Sequence, residues 1–327
     1  MTADAALELS VVIVNHDGRG CLPATLRALE ERTEAEAFEI VVVDSGSTDD
    51  SWRGVEAHSR HARAIRFEHN IGFCAGCNRG AEAARGRLVA FVNFDGIVEP
   101  AWDVAMRGLL DDPEVVVASG LLVTPDGGTL EAVGLEIAPN MATYGRLGGV
   151  SRSAAPAEPV EVAAVSGALC MLRRGDFLAL GGFWETIWMY GEEADLCLRA
   201  ADRGRVVVHP ASAIRHEVGH AAGPHQSPVR LYWPSRNRIL NAARHLPLDR
   251  MFASLLLSAG FDALTAMQLR HWPAIRLLAA GWRDGLRHAR GVRVDRTPEQ
   301  RRQAASRLVS VGAAVREQRR LGRARLA

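Results

Sequence analysis

The chain's 327 residues, 48% hydrophobic and 24% charged, suffice for one large α/β domain, or a domain carrying a helical appendage. Five cysteines, an odd number, and an N-terminus without a basic, apolar leader argue against a secreted disulfide framework and for a reducing cytoplasm. The net charge of +1 conceals an asymmetry: residues 283–327 hold thirteen arginines against four acids, so the rest of the chain is acidic. Such a tail is either a solvated basic helix or a surface for an anionic partner, a membrane or a nucleic acid.

Residues 9–14 form a β-branched run predicted as a strand, closed by the turn signal Asn15-His16-Asp17-Gly18, and residues 23–31 have helical spacing. A second strand is expected over 38–43, ending at Asp44, after which Ser47-Thr48-Asp49-Asp50 offers an N-cap for a helix over 51–60. A third strand over 64–67, a helix over 75–84 and a fourth strand over 88–92 lead to Asn93-Phe94-Asp95. Continuous Val/Ile runs alternating with helices predict an α/β chain with a mainly parallel sheet covered on both faces. Residues 111–161 read as hairpins, with a mobile loop over 151–159. Beyond them come a strand over 160–165, a helix over 191–202, a strand over 206–209, and helix from Pro228 onward. The apolar stretch 251–261 is about half of what a bilayer span needs, so no integral membrane segment is expected.

Parallel sheets bind ligands at the carboxyl ends of their strands, and Asn15, Asp44, Asn70 and Asp95 all fall just past expected strand ends. A carboxylate at Asp44 can accept hydrogen bonds from a nucleobase or ribose. The small residues from Ser45 to Ser47 would leave backbone N–H groups free beside it. Asp95 can hold Mg²⁺ or Mn²⁺ that also binds a diphosphate, or can simply form a turn. In Tyr190-Gly191-Glu192-Glu193-Ala194-Asp195-Leu196-Cys197-Leu198-Arg199, three acids open a helix. Helical spacing puts Glu192, Asp195 and Arg199 near one face and turns Glu193 away. Acids complement the helix dipole there, which would keep them ionised and suit a general base. Three exceed what capping needs.

Two motifs imitate other chemistries. Cys74-Ala75-Gly76-Cys77 is a C-x-x-C, but without a second pair for zinc it reads best as small residues packed at a helix start. His216-Glu217-Val218-Gly219-His220 fits the H-E-x-x-H of zinc proteases. Gly219 and Gly223-Pro224 oppose the helix that motif requires, which leaves His216 as a single metal ligand the better reading.

As a set, these segments resemble the rhamnosyltransferase-like branch of glycosyltransferase family 2. Val11-Val12-Ile13-Val14-Asn15 and Val43-Asp44-Ser45-Gly46-Ser47-Thr48-Asp49 are similar to its nucleotide-binding opening, and Asn70-Ile71-Gly72 through Asn78-Arg79-Gly80 to its N-x-G-x-x-x-G-x-N-x-G segment. Asn93-Phe94-Asp95 stands where the family has N-P-D, and Ser166-Gly167-Ala168 with Gly181-Gly182-Phe183 resembles its acceptor side. Glu192 to Arg199 resembles E-D-x-D-L-C-x-R, His216 to Gly219 a late H-x-x-G, and Arg236-Asn237-Arg238 an R-N-R. The motifs keep the family's order across about residues 9–246.

The resemblance implies the GT-A fold: a mixed, mostly parallel sheet flanked by helices. It implies a catalytic domain over 1–246, with a nucleotide half (about 9–120) and an acceptor half (about 121–246), followed by a basic amphipathic extension over 247–327. It also implies an inverting, metal-dependent transfer from a nucleotide-diphosphate sugar, rhamnose by likeness, to a glycan or lipid-linked glycan acceptor of cell-envelope polysaccharide. Carried over by position, Glu193 is the candidate base, with Glu192 and Asp195 beside it. Asp95 and His216 are the candidate ligands for Mg²⁺ or Mn²⁺. Asn15, Asp44, Ser47, Asn70, Gly72, Asn78 and Asn93 are the candidate donor contacts.

Three departures stand out: Phe94 for Pro, Glu193 for Asp, and Ala221 for Ser. The first two make a nucleotide-sugar-binding protein with impaired catalysis the rival reading. The cysteines and N-terminus place the protein in the cytoplasm, and Trp272, Trp282, Leu277, Leu278 and Leu286 among arginines suit an anionic membrane surface or packing on the domain or a second subunit. No nucleic-acid partner is expected.

Overall fold

The computed structural model describes residues 7–216, 227–269, 272–293 and 296–324. Strand β1 (Leu9–Asn15), helix α1 (Leu22–Arg32), strands β2 (Phe38–Ser45) and β3 (Ala62–Phe67), helix α2 (Gly72–Ala83) and strand β4 (Leu88–Val92) open the chain. The strands lie in the order β3-β2-β1-β4, all parallel. β1, β2 and β4 can sit inside the sheet because they are largely apolar on both faces, while β3, with Arg63 and Arg66, forms the edge. Leu9, Val11 and Ile13 enter the core beneath α1, while Val12 enters the core beneath α2. The glycines of the 70–80 segment are what bring α2 down onto β1: a Cβ at Gly80 would come within 2.3 Å of the Val12 side chain.

After β5 (Gly96–Val98) and α3 (Trp102–Leu109) comes the long buried strand β6 (Val115–Val123). Short strands β7 (Thr129–Ala132), β8 (Leu135–Ile137), β9 (Thr143–Gly145), β10 (Val150–Ser151) and β11 (Val160–Glu161) precede β12 (Leu169–Arg173), α4 (Arg174–Ala179), α5 (Glu192–Ala200) and β13 (Arg205–His216). β12 inserts antiparallel between β4 and β6, which makes the sheet mixed. β13 runs parallel to β6 and then antiparallel to β5, pairing His216 with Gly96. That register carries His216 to Asp95 over 121 positions of chain.

Several expectations change here. Residues 51–60 form turns with one 3₁₀ turn, Val55–Ala57, in place of a helix. The expected cap is spent elsewhere: the Ser47 hydroxyl donates to Asp44, and Asp49 accepts from the backbone N–H groups of Arg19 and Ser51. The strand expected over 160–165 shrinks to β11 and a single bridge between Leu135 and Ala164, while β6 and β12 supply the central strands. Within 151–159, Arg152 is clasped by both carboxylate oxygens of Glu99 at 2.8 and 2.7 Å.

The last described elements are α6 (Pro228–His245), α7 (Leu248–Leu269), α8 (Trp272–Ala289), α9 (Pro298–Ser306) and α10 (Val311–Ala324). By length and composition alone, α7 is long and apolar enough to cross a membrane. The apolar run 251–261 understated it, because the helix continues past Asp262, which is buried.

Candidate active site

A cavity of about 380 Å³ opens at the carboxyl ends of the parallel strands. One wall comes from His16 after β1, Ser45 at the end of β2, Asn70 and Gly72 before α2, and Asn93, Phe94 and Asp95 after β4. The other comes from Ser166–Ala168, Trp188, Met189, Tyr190, Glu192 and Glu193. His216 and Arg230 close the rim from β13 and α6.

Asp95 and His216 meet. His216 Nε2 lies 3.4 Å from Asp95 Oδ1, its Nδ1 lies 3.2 Å from Glu131 Oε2, and the Asn93 amide is 3.2 Å from Nε2. Burial disfavours the charged imidazole, but hydrogen bonds and charges from Asp95 and Glu131 outweigh it and push His216 up to about 9. Asp95 Oδ1 is buried, and apart from the His216 ring it meets no hydrogen-bond donor among the described residues. A buried carboxylate oxygen left over beside an imidazole is the donor set a divalent cation takes. Among the described residues no three or more such side chains form a cluster that could hold a metal alone. Two protein ligands would leave room for diphosphate oxygens and water.

Glu192 and Glu193 both line the cavity, contrary to the helical-wheel expectation that Glu193 turns away and Asp195 turns in. Glu193 Oε1 accepts the Thr143 hydroxyl at 2.6 Å and Oε2 accepts the Gly191 N–H at 3.0 Å. Burial and the neighbouring Glu193 charge push Glu192 well above the usual carboxylate range. The expectation that the helix dipole keeps this acid ionised is thus reversed: desolvation and like charge win over a half-charge dipole. Glu192 Oε2 has no hydrogen bond among the described residues.

Asp195 lies outside the cavity lining. It is fully buried, pairs with Arg199 at 2.5 Å and with Arg244 at 3.2 Å, and meets His245 Nε2 at 2.8 Å. Its carboxyl would be raised by burial, but these partners hold it well below the usual range. It braces α5 against α6.

The donor candidates divide. Asn70 and Gly72 line the cavity with Asn93. Asn70 Oδ1 accepts from the Ser45 hydroxyl at 3.1 Å and from the Gly72 N–H at 2.9 Å, which shapes the loop into α2. Gly72 has φ +83°, and any Cβ would strike the Trp188 indole at 2.4 Å. Asn15, Asp44 and Ser47 do not line it. Asp44 is fully buried, with Oδ1 accepting from Asn15 Nδ2 at 2.9 Å and from the Ser47 hydroxyl at 2.5 Å. A carboxylate in that position finds hydrogen-bond donors from its own loop, and these three residues lock the ends of β1 and β2 together. Asn78 is also structural: it accepts the Phe183 N–H at 2.8 Å and donates to the Phe183 carbonyl at 2.9 Å.

The sequence reading missed His16, Ser45, Thr143, Glu131, Arg230 and the Trp188–Tyr190 loop. That loop is strained. Trp188 and Tyr190 adopt φ +64° and +68°, a region costly for side-chain-bearing residues. Asn237 holds it there, its Nδ2 donating to the carbonyls of Ile187, Met189 and Tyr190 at 2.9, 2.8 and 2.9 Å. Trp188 also stacks on Trp233 of α6, with ring centroids 4.8 Å apart. Aromatic residues directly ahead of the acidic helix start were the available signal; Glu131 carried none. Of the zinc-protease look-alike, Glu217 to His220 lie outside the described residues, as does Ala221. His216 ends a strand, so the motif does not begin on a helix. Cys74 and Cys77 are buried, and burial raises both thiols well above their usual range.

The family model for glycosyl transferase family 2 matches residues 10–179, more than half of the chain. The chain belongs to glycosyltransferase family 2. A relative, the O-antigen biosynthesis protein RfbC of Myxococcus xanthus, is 26% identical over 243 residues, covering 70% of this chain and 19% of that protein. The chain spans a quarter or less of the length of the first curated relatives it matches. Among solved structures, GalNAc-T7 with UDP, GalNAc and Mn²⁺ superposes with TM-score 0.57 at 18% identity, covering 74% of this chain and 51% of that one. Residues 1–349 of TarS from S. aureus with UDP-GlcNAc give TM-score 0.56 at 16% identity, covering 91% and 90%. At these identities the likeness establishes the family's GT-A fold for the chain.

Proposed function

We propose that this family 2 chain is an inverting, metal-dependent glycosyltransferase acting on a nucleotide-diphosphate sugar. The observation that carries the reading is one cavity at the strand ends with Asp95 and His216 on one side and the Glu192–Glu193 pair on the other. Asp95 and His216 would hold Mg²⁺ or Mn²⁺, as the relatives crystallised with Mn²⁺ support. A cation there would neutralise the charge of the departing diphosphate. Asn70, Gly72 and Asn93 would contact the donor.

In the transfer, an acceptor hydroxyl oxygen attacks the anomeric carbon, its proton passes to a carboxylate, and the bond from that carbon to the diphosphate oxygen breaks. Glu193 is the proposed base. The Thr143 and Gly191 hydrogen bonds aim its carboxylate into the cavity.

The proposed setting is cell-envelope polysaccharide assembly at the cytoplasmic face of a membrane. The acceptor would be a glycan or lipid-linked glycan and the sugar rhamnose, supported by the family resemblance and the O-antigen relative. Residues 1–246 would form the catalytic domain, with the C-terminal helices meeting an anionic surface.

Titration calorimetry with the diphosphates of thymidine, uridine and guanosine, each with and without Mn²⁺, tests this. Tight, metal-dependent binding of one nucleotide is expected. Binding of none would overturn the reading, and donor binding with no transfer to any acceptor would leave a nucleotide-sugar-binding protein.

A further inference from the structure

Helix α7 is built inside out. Ser254, Ser258 and Asp262, each one turn from the next, are the side chains it buries against the body. The Ser258 hydroxyl donates to the Asn140 carbonyl, and Asp262 accepts from Ser235 and from Trp282 Nε1, both at 2.8 Å, while pairing with Arg238 at 2.5 Å. The opposite face presents Leu248, Phe252, Leu256, Leu264 and Met267, with Leu256 75% exposed. From residue 251 to 269 the only charged residue is Asp262, and it is buried. A surface helix in water normally shows the reverse polarity.

The two ends of this face differ in chemistry. At the N-terminal end, a cavity of about 700 Å³ is lined by Leu248, Asp249, Arg250, Arg293 and Arg302 over the buried Arg296 and Arg301, which are held by Asp202 and by backbone carbonyls. At the C-terminal end, Met267 meets Trp272 and Ile275 around a shallow apolar depression. We propose that α7 docks this protein onto an anionic lipid bilayer, lying flat with its outer face in the headgroup–acyl boundary and lipid phosphates at the arginine-lined cavity. Exposed Arg250 and Arg302 beside an uncharged apolar face match anionic headgroups above acyl chains, and Trp272 belongs at such a boundary. The polar inner face fixes the orientation. Were α7 to span the bilayer, Ser254, Ser258 and Asp262 would lose their partners inside hydrocarbon.

This inference rests on the membrane setting proposed above and is independent of transfer chemistry. The test is flotation of the purified full chain with vesicles of phosphatidylcholine alone or mixed with phosphatidylglycerol, alongside light scattering. Roughly ten-fold or more protein should float with the anionic vesicles, and high salt should reduce this. L256E/M267E should abolish flotation with both vesicle types. R250E/R302E should reduce only flotation with anionic vesicles. Unchanged nucleotide binding in these variants keeps loss of fold apart from loss of docking.

Absence of flotation by the parent chain would overturn the proposal and leave the transferase reading standing. A dimer split by L256E/M267E without lipid binding would assign the face to a second copy instead. Membranes of expressing cells should release the protein on alkaline carbonate extraction; retention would mean that the helix spans.

Discussion

Thr143 donates its hydroxyl to Glu193 across 2.6 Å, tying the two-stranded ribbon of β8 and β9 to the first turn of α5. Glutamate is one methylene longer than the aspartate usual at this point in the family, and the Thr143 hydroxyl fixes where its carboxylate sits. Thr143→Val should therefore lower kcat by about ten- to a hundred-fold with little change in nucleotide affinity, since misplacement of a reacting group by about 1 Å costs on that order. Steady-state kinetics with calorimetry of the nucleotide separate the two effects. A rise in KM with kcat intact would show that Thr143 serves binding alone.

Glu193→Gln should keep metal-dependent nucleotide binding and lose roughly 10²- to 10⁴-fold in transfer. Full activity in that variant would move the base to Glu192, the other acid in the cavity.

Asp95→Ala should abolish the Mn²⁺ dependence of nucleotide binding. Glu131→Gln should weaken Mn²⁺ affinity by about ten- to a hundred-fold, the usual effect of losing the partner that orients a ligating histidine. Mn²⁺ titration of the nucleotide complex, followed by electron paramagnetic resonance, reads both. Equal Mn²⁺ affinity in Glu131→Gln and the parent would make the Glu131–His216 contact irrelevant to the metal.

The α5–α6 brace predicts acid sensitivity. Burial pushes His245 from 6.5 down to about 4, against the pull of Asp195. The unfolded chain then binds the proton that the folded chain refuses, so stability from this group is complete above about pH 6.5 and falls as the pH drops toward 4. A shift of this size corresponds to on the order of 3 kcal/mol. The depressed Asp195 carboxyl adds a loss of the same sign at lower pH. Urea unfolding across pH 4–7 should show the decline, and a His245 variant that folds should show a shallower one.

Gly80→Ala should destabilise the protein by about 1–3 kcal/mol, because the new methyl meets Val12 and lifts α2 from β1. Thermal unfolding measures it; no change in Tm would mean that α2 shifts freely.

The parallel half of the fold was legible because its inner strands are largely apolar on both faces and end at polar residues, a pattern that periodicity reports directly. β6 and β12 were not, since their pairing is set by partners far away in sequence: Met171 pairs with Ala90 in β4 and with Ala118 in β6. In the site, Asp95, His216, Glu192 and Glu193 were found by motif. Their grouping was not, because helical spacing cannot tell which flank of α5 faces a cavity and which faces Arg244. Asp44 stood at the right strand end for a ligand contact, yet Asn15 and Ser47 turn it into a lock. Whether a carboxylate is offered outward or consumed inward depends on neighbours that composition does not order.

Asn237 and Arg238 are consecutive on α6 and reach in different directions. One gathers the carbonyls of the strained Trp188–Tyr190 loop, and the other grips Asp262 of the outer helix. A helix backbone is stiff over two residues, so a rotation of α6 that loosened the grip on α7 would also drag the anchor of the loop. The rim of the cavity and the outermost helix therefore share one lever arm, with its fulcrum a single peptide bond wide.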